Sequence, residues 1–319
     1  MMESIVITGA TTHLQQQTCQ QNAAGSVGKS ITFPYTDTVE RKRQTPASNM
    51  LLHLCQQLFL QTGVEDAAMF GAQTGLVSGA YYGCMSITQG ILTALRQKGP
   101  RGVDAIEFAK STHSFPLSAA SIEFALLGPA AAVVSGELAS LEALIMARDW
   151  LLAGRCQRVI VVGYEYLSPL LHTHLPHIGG DADYSDNMSV ALLETKASAL
   201  SRGAPVLAEL IRLRRFSGPL ANMARQWGTA IQQIELGNEA CRFLSASTLQ
   251  ADAVTLEQAV AENCKSSQLA LRSEMQRFLG ATTVMQLVAS LNAPTACEWV
   301  LNSFAPGGGG MIHLRKETL

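Results

Sequence analysis

The chain has 319 residues, 47% of them hydrophobic, which is enough apolar material for one large domain or two packed ones. A formal net charge of −2 gives no basic field to attract nucleic acid or an anionic membrane. The seven cysteines lack metal-ligand or disulfide spacing, Met1-Met2-Glu3-Ser4 has no basic leader, and Gly128-Pro129 and Gly163 interrupt the longest apolar runs. A soluble cytoplasmic protein with free thiols and no membrane partner is expected.

Residues 4–8 (SIVIT) read as a first strand that ends at Gly9-Ala10. The stretch VITGATT lacks the later glycines of a dinucleotide-binding turn, so it reads as a strand and its turn, and no bound cofactor is expected. Residues 15–30 are Gln-rich and aperiodic, as in a surface loop. Residues 48–63 form a helix with Ser48 as its cap, Leu51, Leu52, Cys55, Leu58 and Phe59 on one face, and Gly63 at its end. A buried strand is expected over 69–74, a helix over 81–97 stopped by Gly99-Pro100, and a short apolar helix over 118–126.

The stretch 130–152 organises the rest. Residues 131–134 read as a buried strand and Ser135-Gly136 as a turn. From there Leu138, Leu141, Leu144, Ile145, Ala147, Leu151 and Leu152 recur at a helical period. Strand, sharp turn and helix make the architecture of a nucleophile elbow, where the helix N-terminus aims N–H groups and a positive dipole end at the turn residue. A Cys there would react as thiolate. Glu137 stands there instead, and a carboxylate, though at home at that dipole end, is a poor substitute in acyl transfer.

Residues 158–162 read as a buried strand. His172, His174 and His177 have a spacing that could ligate zinc, but Pro176 and the glycines beside it predict a surface loop, and no metal is expected. Strands follow over 189–194, 206–213, 242–247, 299–304 and 311–315, with helices over 255–262 and 278–290. The second half thus repeats the strand-and-helix grammar of the first, which argues for a duplicated α/β architecture with halves at 1–170 and 171–319. Gly307 to Gly310 read as a tight turn before the last strand rather than a phosphate cradle.

GPAAAVVSGELASLEALIMARDWLLAGRCQRVIVVGYEYLSP resembles the active-site segment of β-ketoacyl synthases, the condensing enzymes of fatty acid and polyketide synthesis. The resemblance continues through Gly71 to Gly79, LGATTVMQL (279–287) and NSFAPGGGG (302–310). It implies the thiolase-like fold, α/β with duplicated halves in five layers, αβαβα. The chain looks shortened around 172–186 and 216–236, where the family carries loops over its pocket.

On this resemblance the family's nucleophilic Cys falls on Glu137, its first active-site His on Ser245, its Lys on Arg272 and its second His on Arg277. Without the Cys and both His the family's chemistry has no route, so these are degenerate positions and no catalytic residue is expected. The pattern resembles chain length factors, the β subunits of type II polyketide ketosynthases. That implies a heterodimer with an active ketosynthase α subunit. It also implies a substrate carried on the phosphopantetheine of an acyl carrier protein, and a shared tunnel limiting an aromatic polyketide or aryl polyene. The alternatives are a malonyl-thioester decarboxylase using Glu137 and an acyl-binding homodimer. The resemblance places the dimer interface near 115–134 and the tunnel end on the helix from Tyr81. Tyr81, Cys84 and Thr88 share a face there at i, i+3 and i+7, with Tyr82 and Met85 on adjoining faces. Glu137 is expected to pair with Arg272 or Arg277.

Overall fold

The computed structural model describes residues 3–14, 44–64, 67–179, 184, 186–234, 242–247, 269–270, 278–293, 298–305 and 307–316. The expectations for 15–30 and 255–262, and those for Arg272 and Arg277, lie outside these residues. The first part of the chain runs β1 (Ile5–Leu14), α1 (Pro46–Gln61), α2 (Ala67–Ala72), β2 (Thr74–Gly79), α3 (Met85–Lys98), α4 (Ala105–Lys110), α5 (Phe115–Glu123), β3 (Ala130–Val133), α6 (Ala139–Leu152), β4 (Arg158–Glu165), α7 (Pro169–Gly179), β5 (Asn187–Thr195) and α8 (Lys196–Ser201). The rest follows as β6 (Ala208–Ser217), α9 (Leu220–Gln232), β7 (Arg242–Ser247), β8 (Leu269–Ala270), α10 (Thr282–Asn292), β9 (Glu298–Ala305) and β10 (Gly308–Lys316).

The strands join one sheet in the order β3-β2-β4-β5-β1-β6-β10-β9-β7-β8. That order is a duplication. β2 is parallel to β3 and β4, β4 antiparallel to β5, and β5 antiparallel to β1. In the same way β7 is parallel to β8 and β9, β9 antiparallel to β10, and β10 antiparallel to β6. Strand for strand, β6 to β10 repeat β1 to β5, and α6 and α10 hold equivalent places between the third and fourth strands. The halves meet where Ile5, Val6 and Ile7 pair with Leu210, Glu209 and Ala208. The strand order groups β5, residues 187–195, with β1 to β4.

The layers follow from which way alternate side chains point. Val159 and Val161 of β4 and Ala191 and Leu193 of β5 share one core with Leu141, Leu144 and Leu151 of α6 and Val284, Leu287 and Val288 of α10. Leu301 of β9 and Ile312 and Leu314 of β10 enter the same core from the other half-sheet. The opposite face of the first half, with Ile160, Val162, Val190 and Leu192, packs on α1 and α5. The opposite face of the second, with Val300, Phe304 and Met311, packs on Met223, Trp227 and Ile231 of α9. The result is five layers, αβαβα, with α6 and α10 in the middle. Coverage on both faces explains why RVIVVGYE in β4 is buried throughout and lacks alternation.

Glycines set the distance between layers. Gly79 of β2 and Gly163 of β4 are register partners. A Cβ on Gly79 would stand 2.4 Å from the Ala139 carbonyl and Ser140 N, and one on Gly163 would stand 3.0 Å from the Ala281 carbonyl. The heads of both central helices therefore rest on a bare-backbone floor. Gly308 and Gly310 serve β10 similarly, against Leu138 in the turn before α6 and Leu141 of α6, so these glycines lie within the last strand, and Gly307, at φ +78°, makes the turn. We expect Gly79→Val to cost more than the ~1–3 kcal/mol typical of overpacking, because the clash is with backbone. Gly90→Ala, in open space within α3, should instead stabilise by about 0.5–1 kcal/mol. Denaturation midpoints of the two variants against the parent check both.

Several local expectations are corrected. β1 continues past Gly9 to Leu14 through a bulge, which turns the Thr8 hydroxyl onto the fully buried Glu194 at 2.5 Å. Thr45, followed by Pro46 at the first helical turn, caps α1 in place of Ser48. The run 69–74 is not a strand: α2 occupies its first residues and β2 begins at Thr74. β3 is an edge strand, exposed at Ala130 and half-buried along the rest, rather than a buried one. The three histidines lie on a helix, α7, rather than in a loop. α9, unforeseen, covers the second half-sheet.

Candidate functional site

β3 ends at Val133, Ser135 sits at φ −131° and Gly136 at φ +64°, and a tight 3-10 turn, Gly136–Leu138, leads into α6. This is the elbow expected from sequence, with Glu137 half-buried on its turn. The second repeat has the same device. The turn Leu279–Ala281 leads into α10, and its first residue, Leu279, holds φ +47° in the left-handed region where Gly136 sits in the first repeat. A bulky residue there is strained, and such strain concentrates at functional positions. The two turns pack against each other, the first also against β9 and the second against β4. Ser140 Oγ accepts the Thr283 N–H at 3.1 Å, and the Thr283 hydroxyl bonds that of Ser303 in β9 at 2.8 Å. The first turns of α6 and α10 are thereby pinned together around the elbow.

Glu165, at the end of β4, completes the frame. It is buried, and its carboxylate accepts the N–H groups of Tyr81 (2.5 Å), Tyr82 (2.9 Å), Gly83 (3.0 Å) and Gly280 (3.1 Å). Burial raises its carboxyl to about 7, and the four N–H groups act against that rise. Sequence reading named Glu165 only as part of a matching segment. Its partners are backbone groups, which carry no residue signature.

Ser245 lies in β7, paired with Asn302 of β9. Arg272 and Arg277, and so the ion pair expected with Glu137, fall outside the described residues. Tyr81 and Cys84 do not share a helix face with Thr88, because both precede α3 and Cys84 is its N-cap. Tyr81 is partly exposed and stacks on Tyr82 with ring centroids 4.3 Å apart, whereas Cys84 is buried beside the Tyr164 hydroxyl at 3.7 Å. Tyr82 packs on Leu167, Leu175, Tyr184 and Leu279, and burial pushes its hydroxyl up to about 12. On α7, His172 faces Asp186 at 3.5 Å and the rings of His174 and His177 are 6.4 Å apart. Among the described residues no three His, Cys, Asp or Glu side chains group as a metal site would require. A small cavity lined by His13, Met50, Tyr166 and Asp186 lies on the α1 side of the first half-sheet, where burial lowers the His13 pKa.

The partner-facing candidates are exposed. Ile122 of α5 and Leu127 ahead of β3 are 83% and 77% accessible, and no residue of α3 is buried, with Met85, Leu92 and Leu95 open to solvent.

The family profile for the β-ketoacyl synthase N-terminal domain matches residues 8–188, more than half of the chain. The chain belongs to the β-ketoacyl synthase family. Polyketide synthase GfsB of Streptomyces halstedii is 28% identical over 185 residues, a match covering 53% of this chain and 3% of that far longer protein. Among solved structures, the apo AntDE:AntF assembly is a type II acyl-carrier protein in complex with its ketosynthase bound to the hexaketide. It aligns with a TM-score of 0.81 at 16% identity over 99% of this chain and 100% of that one. The ishigamide ketosynthase/chain length factor aligns with a TM-score of 0.74 at 18% identity over 88% and 83%. These likenesses establish a ketosynthase-like, thiolase-type fold. In this member of the family the elbow turn carries Glu137. Among the described residues no helix is long and apolar enough to cross a membrane.

Proposed function

We propose that this chain is a non-catalytic chain length factor that pairs with an active ketosynthase in the cytoplasm and shapes the tunnel limiting a polyketide. The substrate would be held on the phosphopantetheine of an acyl carrier protein. The observation that carries the reading is Glu137 on an otherwise intact elbow. The geometry that would activate a thiolate is kept, but a carboxylate cannot form the thioester that begins condensation. Ser245, Arg272 and Arg277 at the remaining family positions agree with it. Likenesses to a ketosynthase–carrier complex and to a ketosynthase/chain length factor support the choice of partners.

The tunnel positions move with the start of α3. Its accessible face carries Met85, Thr88 and Leu92 at i, i+3 and i+7, with Leu95 one turn on, and these replace Tyr81 and Cys84 as the residues that would meet a growing chain.

Malonyl-carrier-protein turnover by the purified chain, together with co-expression beside candidate ketosynthases, tests the reading. We expect no carbon dioxide release from the chain alone and a stable heterodimer on co-expression. Release abolished by Glu137→Ala would make the protein a decarboxylase. A stable homodimer that ignores every ketosynthase would make it an acyl-binding module.

A further inference from the structure

α3 has a shallow footing: Ile87 is half-buried against the core of the first half, and the helix touches α4. None of its residues is buried, and its N-cap, Cys84, makes no side-chain capping bond. A helix with so little packing needs an external anchor, since most helical stability in proteins comes from a buried face. The anchor lies immediately upstream. Three successive N–H groups, from Tyr81, Tyr82 and Gly83, converge on the Glu165 carboxylate. Such a run of N–H groups forms a concave nest for an anion, and here the chain supplies the anion itself. The fourth N–H on the same carboxylate comes from Gly280, in the turn that starts α10. The fit is close: a Cβ on Gly280 would stand 2.5 Å from Tyr81 N and 2.8 Å from Glu165 Oε1. Gly83, at φ +51°, has the His113 ring 2.5 Å from where its Cβ would be.

We propose that Glu165 is a positioning residue, a built-in anion that ties the entry of α3 to the head of α10 and so fixes where the accessible face of α3 sits. The effect on product length rests on the chain length factor reading; the anchoring of α3 does not.

Glu165→Ala leaves four N–H groups converging on a space suited to a small carboxylate. Hydrogen–deuterium exchange on the purified chain, alone or with the partner it co-purifies with, reads the outcome. Peptides spanning 81–98 and 278–281 should exchange together, on the order of tenfold faster, while β10 stays as slow as in the parent. Added formate or acetate should restore slow exchange, and chloride should not. Where Glu165→Ala does not fold, Glu165→Gln carries the test. It keeps the shape but turns an NH2 toward the nest, so α3 should loosen and formate should not rescue it. Unchanged exchange in α3, loosening of one segment without the other, or a Glu165→Ala variant indifferent to formate and acetate would overturn the proposal. If α3 loosens as expected in an assembled pair whose products keep their length, the tunnel reading falls and the anchor stands.

Discussion

Charging the exposed apolar approach to β3 is expected to abolish pairing with a ketosynthase. Ile122→Glu combined with Leu127→Glu should weaken the complex by at least about 100-fold, because a charge buried at an interface without a partner costs roughly 2–5 kcal/mol. Both side chains are largely accessible, so the fold of the chain itself should not suffer. Among the described residues β3 is the outer strand beside them, and such an edge is a ready template for a second chain. Leu200→Glu, on α8 and 65% accessible, is the control and should leave affinity unchanged. Binding is measured by titration of the purified subunits; full affinity in the double variant would remove this face from the interface.

Widening the accessible face of α3 is expected to lengthen the product. Leu92→Ala, or Met85→Ala one face-repeat earlier, removes a side chain that a growing chain would otherwise have to displace. Such an intrusion costs about 1–3 kcal/mol. Product mass should rise in whole two-carbon steps, and Thr88→Trp should shorten it. If Tyr81→Ala changes the length while Leu92→Ala does not, the tunnel ends at the turn before α3 rather than on the helix.

Much of this architecture was legible in the chain. The change from an apolar run to helical periodicity at Leu138 located the elbow, and the strand-and-helix grammar of 171–319 announced the duplication. What escaped did so for physical reasons. MFGA (69–72) is too short an apolar run to distinguish helix from strand, and it is helix. AAAV reads alike in a central and an edge strand, since periodicity does not say whether a neighbour is present. In α9, Met223, Trp227, Ala230 and Ile231 follow an i, i+4, i+7, i+8 pattern that could have been found, but polar residues between them hid it. Pro176 suggested a loop where α7 runs. At the site, Glu137 was visible because a side chain replaces a side chain. The four-donor clasp on Glu165 was not, because the donors are peptide groups.

β3 is the outer strand of the first repeat among the described residues and also the strand that leads into the elbow. A chain laid along that margin would hold the elbow through the backbone, so that assembly and the posture of Glu137 would be one event rather than two.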